Sequence, residues 1–88
     1  MSVADSLLEF PCDFPLKVMG ANGADFAQAI AVVVQTHAPD FDASTLEMRS
    51  SKDGNYLSLT ATVRAVSREQ LDALYRALTS HPMVKIVL

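Results

Sequence analysis

The chain has one cysteine, no tryptophan, no block of like charge and no long apolar run. Each shortage excludes something. A single thiol, Cys12, cannot form a disulfide within the chain, and this predicts a reducing compartment. Asp13 beside it opposes the cationic surroundings that a reactive thiol needs. No stretch approaches the ~20 apolar residues of a membrane span. Met1 to Pro11 carries Asp5 and Glu9 and no basic lead, so no signal peptide is expected. The prediction is a cytoplasmic protein with no membrane partner. Lys17, Arg49, Lys52, Arg64, Arg68, Arg76 and Lys85 are dispersed, and the formal charge is −3. Nucleic acid, which needs a clustered positive field, is therefore not an expected partner.

What is present is aliphatic. Half of the 88 residues are hydrophobic, with only four Phe and two Tyr among them. That length predicts one domain with one aliphatic core. Residues 1–11 read as a lead-in, in which Leu7, Leu8 and Phe10 are expected to dock, and 12–88 as the domain. Phe14, Leu16 and Val18 alternate with Pro15, Lys17 and Met19, predicting a strand that ends at the turn Gly20-Ala21-Asn22-Gly23. Ala24 to His37 reads as a helix with Phe26, Ile30, Val33 and His37 on one face and Asn22 or Asp25 serving its start. Pro39 ends it, and Asp40-Phe41-Asp42 is a connection.

Thr45 to Ser50 predicts a second strand with Leu46 and Met48 facing the core. Ser51-Lys52-Asp53-Gly54-Asn55 is a hairpin turn, Asp-Gly supplying the positive φ. Leu57, Leu59, Ala61, Val63 and Ala65 alternate with Tyr56, Ser58, Thr60, Thr62 and Arg64, which defines a third strand with one aliphatic and one polar face. Ser67 to Gln70 is a capping box, and Leu71, Leu74, Tyr75 and Leu78 follow at helical spacing. In Met83 to Leu88, a last strand, Val84, Ile86 and Leu88 are expected to face the core and Met83, Lys85 and Val87 the other side.

This order predicts an α+β fold, a ferredoxin-like β-α-β-β-α-β sandwich: a four-stranded antiparallel sheet of order 4-1-3-2 with both helices on one face. The opposite face would lie open. On it Lys17, Met19, Arg64, Met83, Lys85 and Val87 form the candidate interaction face, an apolar centre with a polar rim. Two loops are further candidates, Gly20 and Gly23 after the first strand and Ser51, Lys52 and Asn55 at the hairpin tip, where Asp53 cancels much of the charge of Lys52.

Reaction chemistry is sparse. Base stacking on an open sheet needs aromatic residues where Lys17, Met19, Ser58, Thr60 and Thr62 stand. Copper transfer needs two cysteines in the first loop, and a phosphate loop there needs an arginine; neither is present. His37 and His81 close the two helices, where a cation suits the helix dipole, and no Cys or carboxylate pattern makes them zinc ligands. No nucleophile elbow supports a hydrolase. We expect no catalytic residue, no metal and no cofactor.

Several strings resemble the YbeD-like family of small uncharacterised bacterial proteins. They are Leu8-Glu9-Phe10-Pro11, Phe14 with Lys17-Val18-Met19-Gly20, His37-Ala38-Pro39, Ser51-Lys52 with Gly54-Asn55-Tyr56, Leu74-Tyr75 with Leu78, and Val84 with Val87-Leu88. The resemblance spans residues 7–88; Asp53, inserted in the turn string, departs from it. It implies a ferredoxin-like fold similar to ACT domains, which bind small effectors, often amino acids, at the loop after the first strand. It also implies a link to lipoate metabolism, suggested by gene neighbourhood. It carries no established catalytic or binding residue. The expected function is a small non-enzymatic regulatory or protein-interaction module whose partner is a protein or a second copy. The alternative is an ACT-like small-molecule effector-binding domain acting as a dimer.

Overall fold

The computed structural model describes residues 9–23 and 25–88. Leu7, Leu8 and the expected helix start at Ala24 lie outside the described residues, while Phe10 is 36% exposed. The elements are β1 (Cys12–Ala21), α1 (Phe26–His37), a 3₁₀ turn (Ala43–Thr45), β2 (Glu47–Ser50), β3 (Tyr56–Ala65), α2 (Arg68–Thr79) and β4 (Val84–Val87). All three pairings are antiparallel, and the sheet order is β2-β3-β1-β4. This is the predicted topology.

The long central pair positions everything else. β1 and β3 pair without interruption from Cys12↔Ala65 to Ala21↔Tyr56. Leu16 and Val18 on one strand and Leu57, Leu59, Ala61, Val63 and Ala65 on the other turn inward and are buried. Phe26, Ile30 and Val34 of α1 and Leu71, Leu74 and Leu78 of α2 pack on that face and complete one core. The α2 start follows the capping box with one variation. Ser67 Oγ accepts the Gln70 N–H at 3.1 Å, but Gln70 Oε1 reaches past Ser67 to accept the Val66 N–H at 2.6 Å. Its Nε2 donates to the His37 carbonyl oxygen at 2.9 Å, tying the start of α2 to the end of α1.

Four expectations are corrected. The inward face of α1 runs through Phe26, Ile30, Val34 and Ala38, four residues apart at each step, so Val34 replaces Val33 as the fully buried valine. Phe41, expected in a connection, is buried, because Gln35 Nε2 donates to its carbonyl oxygen at 3.1 Å and the chain folds back there. Neither Asn22 nor Asp25 caps α1 through its side chain; Asp25 holds the cap position without such a bond. Met48 has the inward register, opposite Leu59, yet is 62% exposed, because among the described residues the helices pack mainly over β3 and β4.

The fifth correction concerns β4. Met19 pairs with Ile86 but Gly20 pairs with Val84, so β4 carries one extra residue, Lys85, at a bulge. The bulge breaks the alternation of faces. Val84 and Val87 both pack against the core, as does Met83. Ile86 and Leu88, expected inside, are 49% and 64% exposed.

Candidate open-sheet site

The face of the sheet away from the helices is a grid set by the register. One row runs Arg49–Ser58–Met19–Ile86 across β2, β3, β1 and β4. The next runs Glu47–Thr60–Lys17, and it extends to Leu88, which exchanges both backbone hydrogen bonds with Lys17 at 2.7 and 3.1 Å. Opposed residues in such rows lie about 5 Å apart. Met19, Ile86 and Leu88 therefore form one contiguous apolar cluster at the β1–β4 end. Lys17 borders it, and Arg49 and Glu47 stand at the β2 end.

Between these ends lies an open depression of about 430 Å³, lined by Lys17, Glu47, Met48, Arg49, Ser58 and Thr60. Ser58 and Thr60, both half-buried, form its floor. Its character is two cations, one carboxylate and two hydroxyls. These groups can offer hydrogen bonds and charge of both signs to a ligand. Among the described residues no three His, Cys, Asp or Glu side chains gather as metal ligands. No helix among them is long and apolar enough to cross a membrane.

Of the six residues expected on this face, Lys17 and Met19 are there and adjacent. Arg64 shares the face but pairs with Asp13, about 13 Å along the strand from the Lys17 row. Lys85 is the exposed bulge residue. Met83 and Val87 are not on the face; they pack against the core. Ile86 and Leu88 take their places, and Arg49 and Glu47 supply the charge nearest the depression. The Glu47-Arg49 alternation was visible in the sequence. The inversion at β4 was not, because a bulge leaves no mark in a six-residue hydrophobic pattern.

The two candidate loops meet. Asn22 donates its backbone N–H to Asn55 O at 2.9 Å and its side-chain Nδ2 to Gly54 O at 3.0 Å. The hairpin tip is fixed from within: Asp53 Oδ1 accepts the Ser51 hydroxyl at 2.7 Å and the Asn55 N–H at 3.0 Å, and Ser51 Oγ accepts the Tyr56 N–H at 3.0 Å. These donors hold the Asp53 carboxyl below the usual aspartate range. Gly54 has φ +77°, as Asp-Gly predicts. Lys52 stands exposed, Gly23 is open to solvent, and Gly20 is no loop residue at all: it is buried within β1. The histidines are held locally. His37 Nδ1 lies 3.1 Å from the Val33 carbonyl oxygen, and His81 Nδ1 accepts the Met83 N–H at 3.2 Å.

The sheet order, the crossovers and the single helical layer define an ACT-like ferredoxin fold. Two solved structures share it. The solution structure of protein HP0495 from H. pylori matches with a TM-score of 0.75 at 15% identity, covering 100% of this chain and 96% of that one. The ACT domain from the GTP pyrophosphokinase of Chlorobium tepidum matches with a TM-score of 0.65 at 19% identity, covering 88% and 97%. Within that class the chain belongs to the DUF493 family, proteins of unknown function, whose family model matches residues 5–88. It is 62% identical over 84 residues to a UPF0250 protein of Ralstonia nicotianae, covering 96% of this chain and 87% of that protein. It is 57% identical over 84 residues to one from Nitrosomonas europaea, covering 96% and 97%. The resemblance to the YbeD-like family read from the sequence stands.

Proposed function

We propose that the protein is a small non-enzymatic interaction module that regulates a protein partner by docking through its open sheet face. The observation that supports this reading is the joining of half-buried Met19 with exposed Ile86 and Leu88 into one cluster beside Lys17, on a face that no helix among the described residues covers. An apolar centre with a charged border is the usual anatomy of an interface. The side chains assembled there bind rather than react. The test is a pull-down from native extract with the parent and with Met19→Glu/Ile86→Glu. Both side chains are outside the core, so the double variant should fold, as circular dichroism will show, and lose the partner. Retention of every partner by the folded double variant refutes the reading.

The depression floored by Ser58 and Thr60 favours a second reading, binding of a small anionic or zwitterionic effector between Lys17 and Arg49. A thermal-shift screen of small carboxylates and phosphates tests it. Saturation at 100 times Kd stabilises the native state by about 2.7 kcal/mol, and Lys17→Ala/Arg49→Ala should abolish the shift.

A further inference from the structure

The formal charge is −3, yet the fold sorts the charges that the sequence disperses. The open face presents Lys17, Arg49 and Arg64, with the exposed bulge residue Lys85 at its β4 edge, against two carboxylates, Asp13 and Glu47. The other described residues carry Lys52, Arg68 and Arg76 against the carboxylates at 9, 25, 40, 42, 53, 69 and 72. An acidic chain thus gathers most of its cations where no helix among the described residues lies. Asp13 stands directly opposite Arg64 and offsets it. Lys17, Arg49 and Lys85 form no ion pair among the described residues.

These cations are interleaved with the apolar cluster. Lys17 shares a row with Leu88 and stands two residues from Met19 on β1. Arg49 closes the Met19–Ile86 row at β2, two strands and about 10 Å from Met19. Ser58 and Thr60 pave the interval, and their hydroxyls can donate. The two rows hold no aromatic residue, so bases have nothing there to stack on. Resting on the docking reading above, we propose that the partner is an acidic segment of another protein with apolar side chains set among its carboxylates. An apolar side chain seats on Met19, Ile86 and Leu88. A carboxylate beside it meets Lys17, and a further one crosses the depression toward Arg49, with Ser58 and Thr60 donating to it. Complementary charge also steers the encounter, because the face is the positive side of an acidic molecule. Glu47 opposes a carboxylate on this path and keeps the contact weak.

The probe is a synthetic acetylated peptide, Asp-Glu-Leu-Glu-Asp-Leu-Glu-Glu, titrated into the isotope-labelled full chain. The amides of Met19, Ser58, Thr60 and Ile86 should shift, and those of Val34 and Leu74 in the helices should not. Kd should lie below about 1 mM at low salt. It should rise about fivefold or more between about 0.05 M and about 0.3 M salt, as exposed charges are screened. Exchanging both Leu of the probe for Ser should weaken it about tenfold. Exchanging every Asp and Glu for Lys should abolish binding. Lys17→Glu/Arg49→Glu should weaken the acidic probe about tenfold or more, and Glu47→Gln should tighten it about twofold. Both substituted cations are exposed, so the double variant should fold; if it does not, the salt dependence of the parent decides.

No shift of the face amides at about 5 mM acidic probe overturns the proposal. So does equal binding of the Lys form, or an acidic probe indifferent to the loss of its Leu. Tighter binding of oligothymidylate or of phosphatidylglycerol vesicles overturns it in favour of a phosphate-bearing partner. Weakening by Glu47→Gln also overturns it, since that result places a ligand ammonium beside Glu47. The docking reading fails separately: it falls when Met19→Glu/Ile86→Glu keeps every partner from extract, and it stands when that variant loses a partner whose capture ignores salt and the Lys17→Glu/Arg49→Glu change.

Discussion

Gly20 of β1 lies so close to Phe26 of α1 that a Cβ built on the glycine would meet the ring carbons at 2.6 and 2.9 Å, and would also collide with the Met83 carbonyl oxygen. The ring can turn, but the carbonyl belongs to backbone leading into β4. Gly20→Ala should therefore cost about 1–3 kcal/mol or more by overpacking. The control is Gly23→Ala, where an added Cβ meets nothing within 4 Å. Urea titration should show Gly20→Ala clearly less stable and Gly23→Ala close to the parent. Equal stabilities would mean that β4 does not pack against Gly20 as described.

The relation between Leu59 and Ile86 tests the bulge. Leu59 is fully buried, whereas Ile86 is half exposed. Leu59→Ala should cost about 2–5 kcal/mol and Ile86→Ala under half as much. An uninterrupted strand would bury Ile86 and make the two losses similar. The same logic separates neighbours on α1: Val34→Ala should cost more than Val33→Ala, because Val34 is fully buried and Val33 only partly.

These residues show what the sequence could reveal. β3 alternates over ten residues, and one face is aliphatic throughout; no competing period exists, so its faces were legible. On α1 three successive valines, Val32 to Val34, fit more than one helical phase, and only packing against the sheet chooses among them. In β4 the hydrophobic pattern is continuous, and the bulge that inverts it arises from pairing with β1 at Gly20. The candidate site divides the same way. Lys17 and Met19 lie on an unbroken strand and were placed correctly, whereas Met83 and Val87 depended on the β4 phase. Phe41 was invisible as core because it lies in no periodic segment.

Gln70 joins three backbone sites through one side chain: it accepts from Val66 N–H and donates to the carbonyls of His37 and, at 3.4 Å, Arg64. Gln70→Ala leaves the Ser67 cap bond in place, because that bond uses the Gln70 backbone. It removes the tether between the two helices, at a cost of about 1–2 kcal/mol. Hydrogen exchange should then quicken at the C-terminal turn of α1 more than at the centre of α2. Uniform quickening would indicate loss of the whole fold and not of this tether.

Asp53 should make the hairpin tip and the Asn22 loop respond to acid together. Its carboxylate is stabilised first by the Ser51 hydroxyl and then by the Asn55 N–H, which lowers its pKa below the usual aspartate range. A depressed carboxylate stabilises the fold fully above its unfolded pKa of about 4. That contribution fades as pH falls through the lower folded value. Since Asn22 donates to Gly54 O and to Asn55 O, loosening of the tip should reach it. A carbon-detected titration of the Asp53 carboxyl should give a midpoint below the ordinary aspartate value, with the Asn22, Asn55 and Tyr56 amides shifting at the same pH. Asp53→Asn should abolish that shared transition while leaving the separate titration of Asp42, lowered by its own bonds from Ser44, unchanged. An ordinary Asp53 midpoint, or an Asn22 amide that ignores it, would show that the tip is not held by these bonds in solution.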